Sequence, residues 1–248
     1  MKKNIVLFLI ITLVIGLCGC TSGKNTMSRN DEAIITYLNE KYGEQFSILS
    51  GVMEFDGHSG KMERYLCKSD KYQDTFSTII YYNSDYGPEV IFVGNKEFGV
   101  EDTFAEVVFE NEILNNFETD KKDVVIKCNI DFQLKQPDKA EFEEGLNSCL
   151  QNNDLLAYVK FYILSSEENP SSEEYNTIKN WVSTNKPYTA YIYTAHTSEQ
   201  AKNEIASIYS DNKENFGNFL ADSENFQYVD FTLYEEENGF SNKKVIKE

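Results

Sequence analysis

Any chemistry in this 248-residue chain has to come from five cysteines, two histidines and 41 carboxylates, set against 23 lysines and arginines. The histidines, His58 and His196, lie far apart in sequence and no C-x-x-C occurs, so the spacing for a structural zinc site is missing. His58 falls in the turn Asp56-Gly57-His58-Ser59-Gly60 and His196 follows an apolar run; each reads as a loop residue. G-x-S-x-G, G-x-G-x-x-G, P-loop and H-E-x-x-H patterns are absent, which removes the usual footholds for hydrolase, nucleotide and zincin chemistry. The adjacent acids Glu143/Glu144, Glu167/Glu168 and Glu173/Glu174 suggest glycoside hydrolysis, which needs two carboxylates flanking one bond. Neighbours on a helix do not face each other, and acids in a first helical turn are already explained by the helix dipole. Asn83-Ser84-Asp85-Tyr86-Gly87 alternates oxygen ligands, but its glycine falls one position early for a calcium loop and no distal Glu is in register. No catalytic residue, cofactor or metal ligand is assigned from sequence.

The N-terminus carries an address. Lys2 and Lys3 precede a thirteen-residue apolar run, Ile5 to Leu17, broken only by Thr12 and Gly16. This has the form of a signal-peptide core and is short of the about 20 apolar residues that span a bilayer. Leu17-Cys18-Gly19-Cys20 resembles the bacterial lipobox, with Leu at −3 and Gly at −1 before the lipidated Cys. The resemblance implies diacylglyceryl attachment at Cys20 and cleavage before it, placing the chain on the extracytoplasmic face of a cell membrane. Two acyl chains suffice for stable anchoring. Loss of residues 1–19 leaves 21 bases and 41 acids, a formal charge of −20, which speaks against nucleic acid and for a basic protein or peptide as partner. Thr21 to Asn30 is a polar tether spanning about 33 Å when extended.

Cys67, Cys128 and Cys149 remain, an odd number. Cys128 shares strand parity with Ile126 and Ile130, and Cys149 a helical face with Phe142 and Leu146, so both read as small buried hydrophobes; a 128–149 disulfide is the rival.

The body reads as α+β, two small two-layer domains at 31–118 and 124–236, with 1–19 the signal peptide, 20–30 the tether and 237–248 a frayed tail. Ile34, Leu38 and Tyr42 set a helix over 31–42, capped by Asn30 or Asp31 and stopped by Gly43. Four runs separated by short turns follow, at 45–55, 61–68, 75–82 and 89–93, and are expected to pair antiparallel. A helix opened by Asp102 or Thr103 runs to Phe117, giving α-β-β-β-β-α. Beyond a polar break, strands at 124–132, 157–164, 189–195 and 226–234 alternate with helices near 138–152, 171–184 and 197–220, building a one-sided sheet. Ser171-x-x-Glu174 and Thr197-x-x-Gln200 read as capping boxes. The segment Tyr37-Leu38-Asn39-Glu40-Lys41-Tyr42-Gly43-Glu44-Gln45-Phe46 (YLxEKYGExF) is similar to one found early in uncharacterised lipoproteins of low-GC Gram-positive bacteria.

Strand parity in the second half predicts a recognition face. With Ile126, Val159, Phe161, Ala190, Ile192, Val229, Phe231 and Leu233 inward, Tyr162, Tyr191, Tyr193, Tyr228, Asp230 and Tyr234 face outward. Tyrosine pairs a rigid apolar ring with a hydrogen-bonding tip, so this set is the candidate binding surface. The expected function is a membrane-anchored acidic binding or interaction module; the alternative is a carboxylate-based hydrolase of cell-envelope glycans or peptides.

Overall fold

The computed structural model describes residues 28–57, 60–72, 74–117, 124–133, 135–166, 172–198, 226–235 and 238–245. The lipobox and the helix expected over 197–220 fall outside these, except that Thr197 is the last residue of a strand.

Helix α1 (Arg29–Tyr42) starts two residues earlier than the pattern implied. Ser28 is its cap: the Ser28 hydroxyl accepts from the Asp31 N–H while the Asp31 carboxylate accepts from the Ser28 N–H. Gly43, at φ 71°, ends the helix in the left-handed conformation that lacks a Cβ penalty. The chain then builds β1 (Phe46–Gly57), β2 (Gly60–Ser69), β3 (Thr75–Tyr81), β4 (Glu89–Val93) and β5 (Lys96–Asp102). All pairings are antiparallel, in the order β1-β2-β3-β5-β4. Strand β5 is an addition to the four expected. Gly94-Asn95 closes a two-residue hairpin with Val93 opposite Lys96, a Gly-Asn signal that the sequence does carry. The returning strand slots between β3 and β4, so β4 becomes the sheet edge.

Helix α2 (Phe104–Leu114) opens where expected, although Thr103 makes no side-chain cap; Asp102 Oδ1 accepts from the Phe104 N–H instead. Next come β6 (Val124–Phe132), α3 (Lys139–Glu144), α4 (Leu146–Gln151), β7 (Ala157–Ser165), α5 (Ser172–Asn185), β8 (Thr189–Thr197), β9 (Phe226–Glu235) and β10 (Gly239–Val245). The single helix expected over 138–152 is two, because Gly145 at φ 90° and ψ 176° leaves helical geometry between them. The second sheet runs β10-β9-β8-β7-β6. Its β7–β8 pair is parallel, with α5 as the crossover, and the other pairs are antiparallel. The tail expected to fray from 237 instead forms β10, in register with β9 from Gly239 opposite Glu235 to Val245 opposite Val229.

The class is α+β with two sheets, as the sequence implied. Each sheet has its own core. One gathers Ile34 and Leu38 of α1 with Tyr65, Ile80, Phe98 and Val100; the other gathers Cys128, Ile130, Phe161 and Ile192 with Leu146, Ile178 and Val182 of the helices. Helix α2 belongs to both: Phe104 and Val107 enter the first, Ala105, Phe109 and Ile113 the second. Cys67, Cys128 and Cys149 are buried thiols not joined in a disulfide. Burial raises the Cys67 and Cys149 thiols to about 12, which keeps them protonated and unreactive at neutral pH.

Candidate functional site

Parallel pairing of β7 with β8 sets Tyr162 opposite Tyr193 and Lys160 opposite Tyr191. Tyr191 and Tyr193 are two residues apart on one strand and therefore share a face with Tyr162. The Tyr162 and Tyr193 rings stack at 5.1 Å and 10°, and Tyr193 continues to Tyr191 at 6.3 Å and 14°. Tyr158, on the same face of β7, meets Tyr188 edge-on at 5.6 Å. Burial, followed by the Tyr193 hydroxyl, lifts the Tyr162 phenol above its ordinary value, and burial followed by Tyr191 does the same at Tyr193. These phenols stay neutral donors well past physiological pH. Opposite Tyr158 and Lys160 on β6 lie Asp131 and Asn129, so polar groups flank the row.

Tyr234 is not on this face. The β8–β9 register sets Tyr234 opposite Ala190 and Thr232 opposite Ile192, which puts both on the helix-packed face. Tyr234 is 7% exposed, lies in the second core and touches Phe240 at 5.0 Å. Thr232 reaches the Tyr175 hydroxyl of α5 at 3.0 Å. Tyr228 and Asp230, opposite His196 and Thr194, hold positions of the same parity as Tyr234. The physical reason is register: a strand shifted by one residue exchanges its faces, and β9 carries hydrophobic residues at both parities, so alternation alone could not orient it.

The first sheet holds an ionic cluster that sequence reading did not find. Lys41 Nζ donates to Glu89 at 2.5 Å, to Asp102 at 3.0 Å and to the Tyr37 hydroxyl at 2.9 Å. Asp102 also accepts from Tyr37 at 2.7 Å, Tyr42 at 2.8 Å and the Phe104 N–H at 3.0 Å. Burial and then the Asp102 charge push the Tyr37 and Tyr42 phenols far above their ordinary value. All three ammonium protons of Lys41 are engaged, so it offers neither a nucleophile nor a base. The only sequence signals were a lysine in the last turn of α1 and the helix-opening Asp102. Beside the cluster, a groove of about 720 Å³ runs between α1 and β4, lined by Ala33, Tyr37, Val90 and Phe92 among others.

A second carboxylate group serves the backbone. Glu110 accepts from the Ile130 N–H at 2.9 Å and Glu106 from the Phe132 N–H at 3.4 Å; both donors lie on β6, an edge of the second sheet. Glu63, 6% exposed, takes hydrogen bonds from Tyr65, Tyr82 and Asn30. Burial alone would raise its carboxyl, but those donors outweigh burial and hold it below the usual range. Among the described residues, no group of three His, Cys, Asp or Glu side chains is placed to hold a metal ion, and no helix is long and apolar enough to cross a membrane.

No protein-family model matches the chain, and no curated protein does. Among solved structures it is similar to a DUF5037 family protein from Ruminococcus gnavus ATCC 29149, with a TM-score of 0.56 and 18% identity over 86% of this chain and 95% of that one. At that identity the likeness is one of fold.

Proposed function

We propose that this chain is an exported lipoprotein, held on the extracytoplasmic face of the membrane through Cys20, whose body is a binding module for a basic protein or peptide. The observation that carries the binding reading is the row Tyr162, Tyr193 and Tyr191, aligned by one parallel strand pair. Stacked phenols give a preordered apolar surface with donor tips at little entropic cost, and their faces attract cationic side chains. A formal charge of −20 beyond residue 19 speeds encounter with such a partner and does so less at high salt. The signal-like run and the lipobox support the address. The hydrolase alternative is less favoured, because the carboxylates brought together around Lys41 and along β6 are occupied by structural partners.

The test is capture from envelope extracts at low and high salt. Wild type retains a basic partner at low salt, and Tyr191→Ser/Tyr193→Ser, with an unchanged melting temperature, loses it. Intact capture by that folded variant removes this face as the site. In the same cells Cys20→Ala is released or stays unprocessed; equal incorporation of a clickable palmitate analogue into both proteins overturns the anchor.

A further inference from the structure

Ser28, the first described residue, caps α1. In the first turn of that helix the Arg29 guanidinium lies beside the β4–β5 turn, 4.0 Å from where a Cβ on Gly94 would sit. The same end of the sheet carries Phe92 and Val90, 65% and 49% exposed on the edge strand, and Tyr82 at 40%. Asn30 and Tyr82 converge on Glu63, and the Lys61 ammonium sits 4.7 Å over the Tyr82 ring. Lys96, the first residue of β5, is exposed. An exposed aromatic on a free sheet edge is a liability that proteins ordinarily blunt; Phe92 stands opposite Glu97 on that edge with Arg29 beside the turn that follows, while Tyr82 packs on Phe98, on the other face of the same end, beneath Lys61. A tyrosine and bases around an apolar ring are a composition that settles at a bilayer interface. The acids at this end are partly occupied: Asp31 holds the Ser28 N–H, Glu63 its three donors, and Glu54 the Lys61 ammonium. Glu32 and Glu97 are exposed.

We propose that the β4–β5 hairpin and the first turn of α1 form a bilayer-contact surface, with Phe92 and Val90 entering the interfacial layer and Arg29, Lys61, Lys96 and Tyr82 at headgroup level. This rests on the lipoprotein reading, and the length of the tether carries it. From Cys20 to Ser28 is eight residue steps, which can span at most about 28 Å. The end of the body where α1 begins is therefore held close to the membrane. The occupant is a lipid surface and not a soluble partner, since the anchor supplies lipid at this place continuously. The contact is apolar and not an attraction to anionic headgroups, which the acidic body repels.

The experiment uses the chain from Cys20 onward, coupled at Cys20 to a maleimide phospholipid in phosphatidylcholine vesicles; the other three cysteines are buried. The protein has one tryptophan, Trp181. In a Trp181→Phe background, Phe92→Trp places the reporter on the hairpin and Tyr188→Trp places it at an exposed position of the second unit. Brominated lipid quenches the Phe92→Trp protein at least twofold and leaves the Tyr188→Trp protein unchanged, equally at low and high salt. Absence of quenching at position 92, equal quenching at both positions, or loss of the quench in 1 M salt overturns the proposal. Chemical coupling makes this outcome independent of whether cells lipidate Cys20, so failure here and failure of the anchor are told apart.

Discussion

Asp102 is 1% exposed and Lys41 7%, and neither charge is tolerable at that depth without the other. Removing one partner of a buried pair leaves an uncompensated charge, at a cost of about 3–5 kcal/mol. Lys41→Met is therefore expected to destabilise by that amount, read by urea melts. Adding Asp102→Asn should recover most of the loss, since the amide oxygen still accepts from Tyr37, Tyr42 or the Phe104 N–H. A double variant no more stable than Lys41→Met would show that the loss comes from Glu89 or Tyr37, the other partners of the ammonium, and not from Asp102. Gly99 is a residue-scale constraint of another kind. A Cβ there would lie 1.5 Å from the Tyr86 carbonyl oxygen, so the 83–88 loop can rest on β5 only because position 99 has no side chain.

Helix α2 presents apolar residues on two sides because it serves two cores at once, Phe104 and Val107 on one side and Ala105, Phe109 and Ile113 on the other. Its acids, Glu106 and Glu110, cap backbone donors of the edge strand β6, a covering that blocks edge-to-edge association. Cutting Ile113 to Ala should cost about 2–5 kcal/mol. Because α2 couples the two sheets, wild type and Ile113→Ala should each unfold in one transition, with Trp181 fluorescence and far-UV circular dichroism giving the same midpoint. Separated midpoints would mean that the two units fold independently despite the shared helix.

For the whole molecule, phenols buried in both units set the alkaline limit. Tyr37, Tyr42, Tyr65, Tyr81 and Tyr162 all ionise above their ordinary value of 10.0, chiefly through burial. Nearby carboxylates add to this at Tyr37, Tyr42, Tyr65 and Tyr81. The unfolded chain releases these protons near pH 10 while the folded one retains them, so the folded state binds more protons and stability falls as pH rises beyond that point. Urea midpoints are expected to stay flat to about pH 9 and to fall from about pH 10, with phenolate absorbance rising together with loss of circular dichroism. Phenolate formation well before unfolding would contradict the burial of these rings.

Local pattern alone determined the Gly43 stop of α1 and the opening of α2 at Phe104, the strand β6 to its ends, the shared face of Tyr191 and Tyr193, and the α+β class, but not the Ser28 cap, the Leu114 end of α2 or the break at Gly145. Each feature it determined rests on contacts within a few residues or on the period of one element. The strand β5 was legible too, in Gly94-Asn95 and in Phe98 and Val100 alternating with Glu97, Gly99 and Glu101, but two apolar residues running into the helix-opening Asp102 are a short signal. Tertiary structure decided the rest. The sheet order places β5 between strands that precede it, and the face of β9 follows from its neighbour β8, since hydrophobic residues at both parities leave the choice to register. Lys41 and Asp102 are 61 positions apart and meet only when α1 packs on the sheet. No spacing rule relates two such residues, because the energy that joins them exists only once both are withdrawn from water.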